Sequence, residues 1–379
     1  YLESKSRYEI LDGLRGVAAL VVVFYHLMEC YPPQYTGLFF AHGYLAVDFF
    51  FALSGFVIGY AYDDRWNKMS MKDFFKRRIA RLHPMVIFGV LVGVCFFYYT
   101  GGTELFSKVD GAAWWMVLFQ AFLLMCMIPL PSSMDIRGWG ELTSVNGPIW
   151  TLMFEYAANI FYALVLRHLP KIGLGLLVAI SAILTADLTL RLNLFGLLVS
   201  DWNSYSVIGG FVFDVEHVYI GWVRLLYPFL MGLLLCRLGW RLKVSGGFWV
   251  TSLLILVMLS VPTLGGGVKI VDGIYQLICI LLVFPLILAI GAGSSVRGKK
   301  SPRICKFLGD ISYPLYIIHY PSMYLFYYHY ASWSATPHTF GEVWHIALAV
   351  VVGNILVAWL LMRYYDKPVR AWLTRRFIR

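Results

Sequence analysis

The chain has 379 residues, 60% of them hydrophobic and only 14% charged, against about 25% charged in a soluble globular domain. A body of this size cannot hide so much apolar surface from water, which excludes a single soluble domain and a disordered chain alike. The formal net charge of +10 reads as positive flanks of membrane segments rather than as a nucleic-acid surface. Basic residues cluster at segment ends, as Lys76-Arg77-Arg78 with Arg81, as Arg297-Gly298-Lys299-Lys300 and as Arg375-Arg376. The expected fold class is all-α, a polytopic membrane helix bundle.

A spanning helix takes about 20 mainly apolar residues. In chain order the candidates are 11–28, 43–62, 84–100, 112–130, 148–167, 172–190, 219–236, 248–264, 270–291, 305–328 and 342–363. The stretch 63–83 is the strongest basic loop and is assigned to the cytoplasm. The first two candidates then form an out-and-back hairpin with the N-terminus inside. Counting back from the basic C-terminus puts 237–243 and 294–306 inside and 191–218 and 329–341 outside. Two cytoplasmic ends require an even number of crossings. One candidate is therefore re-entrant or peripheral, and 112–130, flanked only by Lys108 and Arg137, takes that role. About ten spans remain. No cleavable signal peptide precedes the first apolar run. The six cysteines show no CxxC or other metal spacing, so neither a disulfide framework nor a metal is expected.

Ionisable groups inside apolar runs mark either a functional site or a satisfied structural pair. Arg15 and His26 are eleven residues apart in the first run, which returns them to one helix stripe about 16 Å apart. The pair reads as a link from an anion site near the inner boundary to chemistry deeper in the bundle, or as a snorkelling arginine plus an interior histidine. Asp48, in the second run, falls near the level of His26 and is expected to orient it. The alternative for Asp48 is a bundle hydrogen bond. Trp150 and Glu155 follow Pro148 at the start of the fifth candidate. Near the outer end they would stack on a sugar and accept its hydroxyl hydrogen bonds, or Trp150 is an interfacial anchor. His319 lies on a helix expected to be broken by Pro314 and Pro321, as a site residue or a structural one.

These pieces in this order resemble the acyltransferase 3 family of integral membrane acyltransferases. The resemblance rests on Arg15-x10-His26, GYLAVDFFFALSGFVI (43–58), RRIARLHP (77–84), PIWTLMFEYAANIFY (148–162), LGDISYPLYIIHYP (308–321) and DKPVR (366–370). It covers nearly the whole chain, departing from the family pattern at Thr151, where Ser is usual, and at Ala46, where Gly is usual. The resemblance implies a single transmembrane acyltransferase domain over 1–379, without a soluble esterase-like domain. It also implies transfer of an acyl group, commonly acetyl from acetyl-CoA, to a hydroxyl of a carbohydrate acceptor, with no permanently bound cofactor.

The residues then take expected roles. His26 is the general base, oriented by Asp48, while Glu155 positions the acceptor from outside. Arg15, Arg77, Arg78 and Arg81 meet the coenzyme A, because arginine pairs with phosphate bidentately. Trp150 and His319 are the candidate acceptor contacts. Partners are acyl-CoA, a glycan and the lipid bilayer, with no nucleic acid. The location is a bacterial inner membrane with both termini cytoplasmic. A transporter or flippase for a lipid-linked sugar or acyl donor is the competing reading, and it predicts an inverted repeat that is not seen here.

Overall fold

Long runs of Leu, Ile, Val and Phe must satisfy their own backbone in lipid, and helices do so within one segment. The computed structural model describes residues 5–31, 40–101, 103–266, 268–296, 298, 300–330 and 338–378. Its main helices are α1 (Glu9–Met28), α2 (Ala46–Tyr62), α3 (Met71–Phe97), α4 (Trp114–Met125), α5 (Trp150–Leu164), α6 (Lys171–Thr189), α7 (Val215–Leu238) and α8 (Gly247–Ser260). There follow α9 (Lys269–Ile278), joined through a π turn to α10 (Phe284–Gly293), then α11 (Lys300–Tyr330), and α12 (Phe340–Leu361), joined likewise to α13 (Lys367–Phe377). The β pairing among the described residues is one isolated bridge, Glu141 to Val212.

Eight helical stretches among the described residues are long and apolar enough to cross a membrane. The shorter apolar helix α8 touches residues of both ends of the bundle. Gly247 packs against Ser294 at one end of α8, and the Leu259 carbonyl accepts from the His42 backbone N–H at the other. Helix α4, at 12 residues, reaches about 18 Å, well short of the roughly 30 Å hydrocarbon layer. Its two flanks meet at one end of the bundle. Trp139 Nε1 donates to the Leu105 carbonyl at 2.9 Å, and Arg137 to Thr100 at 3.0 Å. Helix α4 is therefore too short to cross, and the 112–130 segment is re-entrant or peripheral.

The ends of the bundle differ in charge. One, here the basic end, gathers residues 5–8, 63–70, 239–246, 294–296, 298, 300–303 and α13. Lys5 pairs with Asp64, Arg237 with Asp63 and Lys367 with Asp310. The other, the far end, gathers 40–45, 98–101, 103–113, 126–147, 190–214, 261–266 and 268. There His42 meets Asp272 and Lys269 caps the Asp201 carbonyl. Arg297, Lys299 and residues 331–337 lie outside the described residues.

Two sequence expectations need correction. The basic stretch 63–83 is loop only in its first part. Ser70 and Asp73 form a reciprocal capping box, so RRIARLH is helical and its arginines point in fixed directions. Nor do the two prolines break α11, which runs unbroken from Lys300 to Tyr330. Pro321 frees the Ile317 carbonyl, and Asn146 Nδ2 donates to that oxygen at 2.9 Å.

Close packing fixes the site-bearing helices. A Cβ on Gly16 would stand 2.4 Å from the Leu308 carbonyl, and one on Gly55 would stand 1.9 Å from that of Phe229. Glycine is thus what lets α1 meet α11 and α2 meet α7.

Candidate functional site

A cavity of about 1340 Å³ enters from the basic end between α1, α2, α3, α5, α11 and α13. Its wall carries eleven lysines and arginines against four carboxylates, so it favours a large anion. Arg15, Arg78 and Arg81 all line it. Arg15 is steadied by Asp12 at 3.0 Å. Arg77 does not line it. One residue of helix turns Arg77 about 100° away from Arg78, into a smaller cavity beside the mouth.

Glu155 lies on this cavity rather than at an outer acceptor site. It accepts from Arg78 Nη2 at 2.7 Å and from Ser54 Oγ at 2.6 Å. The buried Arg78 guanidinium needs a carboxylate, and α5 supplies one at that depth. Deep in the bundle its wall holds Val47, Phe50, Thr151 and Tyr316. Tyr316 Oη lies 2.8 Å from Thr151 Oγ1, and the Tyr316 ring is 5.9 Å from that of His319.

Beyond that wall sits His26. Its Nδ1 meets Glu29 Oε1 at 2.9 Å, and the two side chains are 21% and 26% exposed. Tyr327 Oη lies 2.7 Å from the same carboxylate oxygen and also bonds the His26 carbonyl. A carboxylate at Nδ1 makes that nitrogen the donor and leaves Nε2 basic. The His319 ring stacks on His26 at 5.4 Å, and Tyr320 stands edge-on at 4.8 Å. His319 is fully buried, and its Nδ1–H donates to the Tyr316 carbonyl at 2.8 Å. Its Nε2 has no hydrogen-bond partner among the described residues. A carboxylate-held imidazole of this kind can take a proton from a hydroxyl.

The family model described as "Acyltransferase domain" matches residues 8–363. The chain belongs to that family. The acyltransferase is 34% identical over 166 residues to "Protein 2 in picA locus" of Rhizobium radiobacter, a match over 41% of the chain and 81% of that protein. It is 28% identical over 177 residues to "Acyltransferase MdmB" of Streptomyces mycarofaciens, covering 44% and 41%. It is 26% identical over 350 residues to "Putative O-acetyltransferase SACOL0978" of Staphylococcus aureus (strain COL), covering 82% and 50%. The acyltransferase thus spans about half the length of the last two relatives or less. No solved structure matches it significantly.

Two expected site residues of the acyltransferase are placed elsewhere. Asp48 does not reach His26. It is buried against Arg224, accepting from Nη2 at 2.7 Å and Nε at 3.3 Å, because its face of α2 is turned to α7. Trp150 is only 8% exposed. Its ring lies 5.6 Å from the Arg224 guanidinium and 5.8 Å from the Phe154 ring, so no face is open for a sugar. Sequence reasoning passed over Glu29, which stands three residues after His26 and so one helical turn away. It also passed over Arg224, a lone charge within an apolar run.

The far-end segment 130–147 packs beside the His26 site. Arg137 is buried and lies 3.6 Å over the Tyr324 ring. Tyr324 Oη donates to Glu141 at 2.7 Å. Burial, opposed by Tyr324 and Arg137, pushes the Glu141 carboxyl up to about 7. At Asp135 burial is outweighed by donation from the backbone N–H groups of Arg137 and Gly140 and from Ser144, and its carboxyl is held below the usual range.

Proposed function

We propose that this enzyme transfers an acyl group, most simply acetyl, from acyl-CoA entering at the basic end to a hydroxyl of a carbohydrate acceptor at the far end. The basic end faces the cytoplasm of a bacterial inner membrane, as the positive-inside rule favours. The observation that carries the proposal is the shared wall. Tyr316 lines the basic cavity, and it adjoins the His319 ring that stacks on His26.

In this reading Arg15, Arg78 and Arg81 hold phosphate oxygens, and Glu155 keeps Arg78 in place. The thioester arm runs inward toward Tyr316. His26 Nε2 removes the acceptor proton, while Glu29 fixes the tautomer and steadies the imidazolium that forms. The acceptor oxygen bonds to the thioester carbonyl carbon, the C–S bond breaks, and the CoA thiolate takes the proton back from His26. Asp48 and Trp150 serve the frame, not the chemistry.

The test uses purified enzyme, acetyl-CoA and a panel of oligosaccharide acceptors, with free CoA as the readout. At least one acceptor is expected to stimulate CoA release, and His26→Ala is expected to lower it by about 100-fold or more. Stimulated release that survives His26→Ala contradicts the proposal.

A further inference from the structure

Beside the mouth of the main cavity is a second one of about 270 Å³. Arg65, Arg77, Arg81 and Arg370 line it together with Tyr62 and Thr374, and no Asp or Glu is among its lining residues. Arg370 is paired with Asp366. The buried Nε of Arg77 has no hydrogen-bond partner among the described residues. Helix periodicity explains the arrangement. Arg78 and Arg81 are three residues apart and face the main cavity. Arg77 and Arg81 are four apart and face the smaller one. Arg65, Arg81 and Arg370 stand in both walls, so the two spaces adjoin at the mouth.

Such a concentration of guanidinium groups around so small a space suits one phosphoryl group rather than a whole nucleotide. Resting on the acyl-CoA reading above, we infer that this side cavity receives the 3′-phosphate of the coenzyme's ribose. The pyrophosphate lies directly on the thioester arm and must stay in the main cavity. The 3′-phosphate is the branch farthest from the thioester, at the depth where the side cavity opens. The same chemistry would also accept the phosphate of an anionic lipid headgroup, and the two sources are separable.

The experiment is titration calorimetry of the full chain in phosphatidylcholine nanodiscs with CoA and with dephospho-CoA. Coenzyme A is expected to bind about 10- to 100-fold more tightly, as for one to two charge-assisted hydrogen bonds. Arg77→Gln is expected to bring the two within about threefold of each other. Adenosine 3′,5′-bisphosphate is expected to displace CoA better than ADP does. Equal binding of CoA and dephospho-CoA to the unaltered protein overturns the side-cavity assignment and leaves the donor reading standing. Binding of neither contradicts the donor reading itself. Thermal stabilisation by phosphatidylglycerol that Arg77→Gln removes, without discrimination between the two coenzymes, assigns the cavity to lipid and overturns the inference.

Discussion

In the proposed mechanism His26 is the base, and Glu29, one helical turn along α1, holds its Nδ1 and so fixes the tautomer. Exchanging Glu29 for Gln keeps the shape and removes the charge. CoA-release kinetics should then fall about 100-fold in kcat, with little change in KM for the donor. Asp48→Asn should act differently. It strands Arg224 without a carboxylate in the bundle, a loss of about 3–5 kcal/mol, and should lower the melting temperature while surviving folded protein keeps its turnover. If Asp48→Asn slows turnover and Glu29→Gln does not, the assignment is reversed. That Arg15 and His26 share one helix was legible from spacing alone, because both fall within α1. Asp48 was misread because depth in a hairpin does not say which neighbour a side chain faces. Glu29 was overlooked because it stands at the helix end, where a carboxylate looks like ordinary capping. Glu141 supplies a pH signature. Its carboxyl is raised from 4.5 to about 7, so the folded state holds a proton that the unfolded chain releases. That contribution is complete below about pH 4.5 and is lost as pH rises through about 7. Melting temperatures between pH 5 and 8 should therefore fall less steeply in Glu141→Gln than in the parent. An unchanged slope contradicts this.

Among the elements, helix existence was readable from apolar runs, and the short α4 is the segment whose weakly charged flanks had set it aside as re-entrant or peripheral. Helix limits were not. The capping box at Ser70 starts α3 inside a stretch whose charge suggested loop, because charge reports topology while capping reports backbone satisfaction. In the same way α11 continues through Pro321 because Asn146, far away in sequence, takes up the freed Ile317 carbonyl. Asn146→Leu should leave that oxygen buried and unpaired and lower stability by about 1–3 kcal/mol, measured by thermal unfolding in detergent. At the α2–α7 contact, Gly55→Ala should be destabilising by a similar amount, since its Cβ meets the Phe229 carbonyl. Gly353→Ala, with no atom within 4 Å of its Cβ, should be neutral or slightly stabilising. Equal effects at the two glycines would show that the α2–α7 contact is looser than described.

For the whole molecule, the 14% of charged residues divides between topology and site. The positive loops marked one end of the bundle and the Arg15–His26 stripe suggested an anion site there, but the extent of the cavity, to the level of Tyr316, was not written along the chain. That depends on which helices pack together, and the close contacts at Gly16 and Gly55 set it. The central claim is that a donor cavity and a base stand on the two sides of one wall, with Tyr316 and His319 between them. It is tested most directly in sealed vesicles that carry acetyl-CoA only on the face bearing Lys367–Phe377 and a responsive oligosaccharide only on the other. The account predicts acetylated oligosaccharide in the opposite compartment and its loss in His26→Ala. Acetylation that occurs only when donor and acceptor share a face would contradict it.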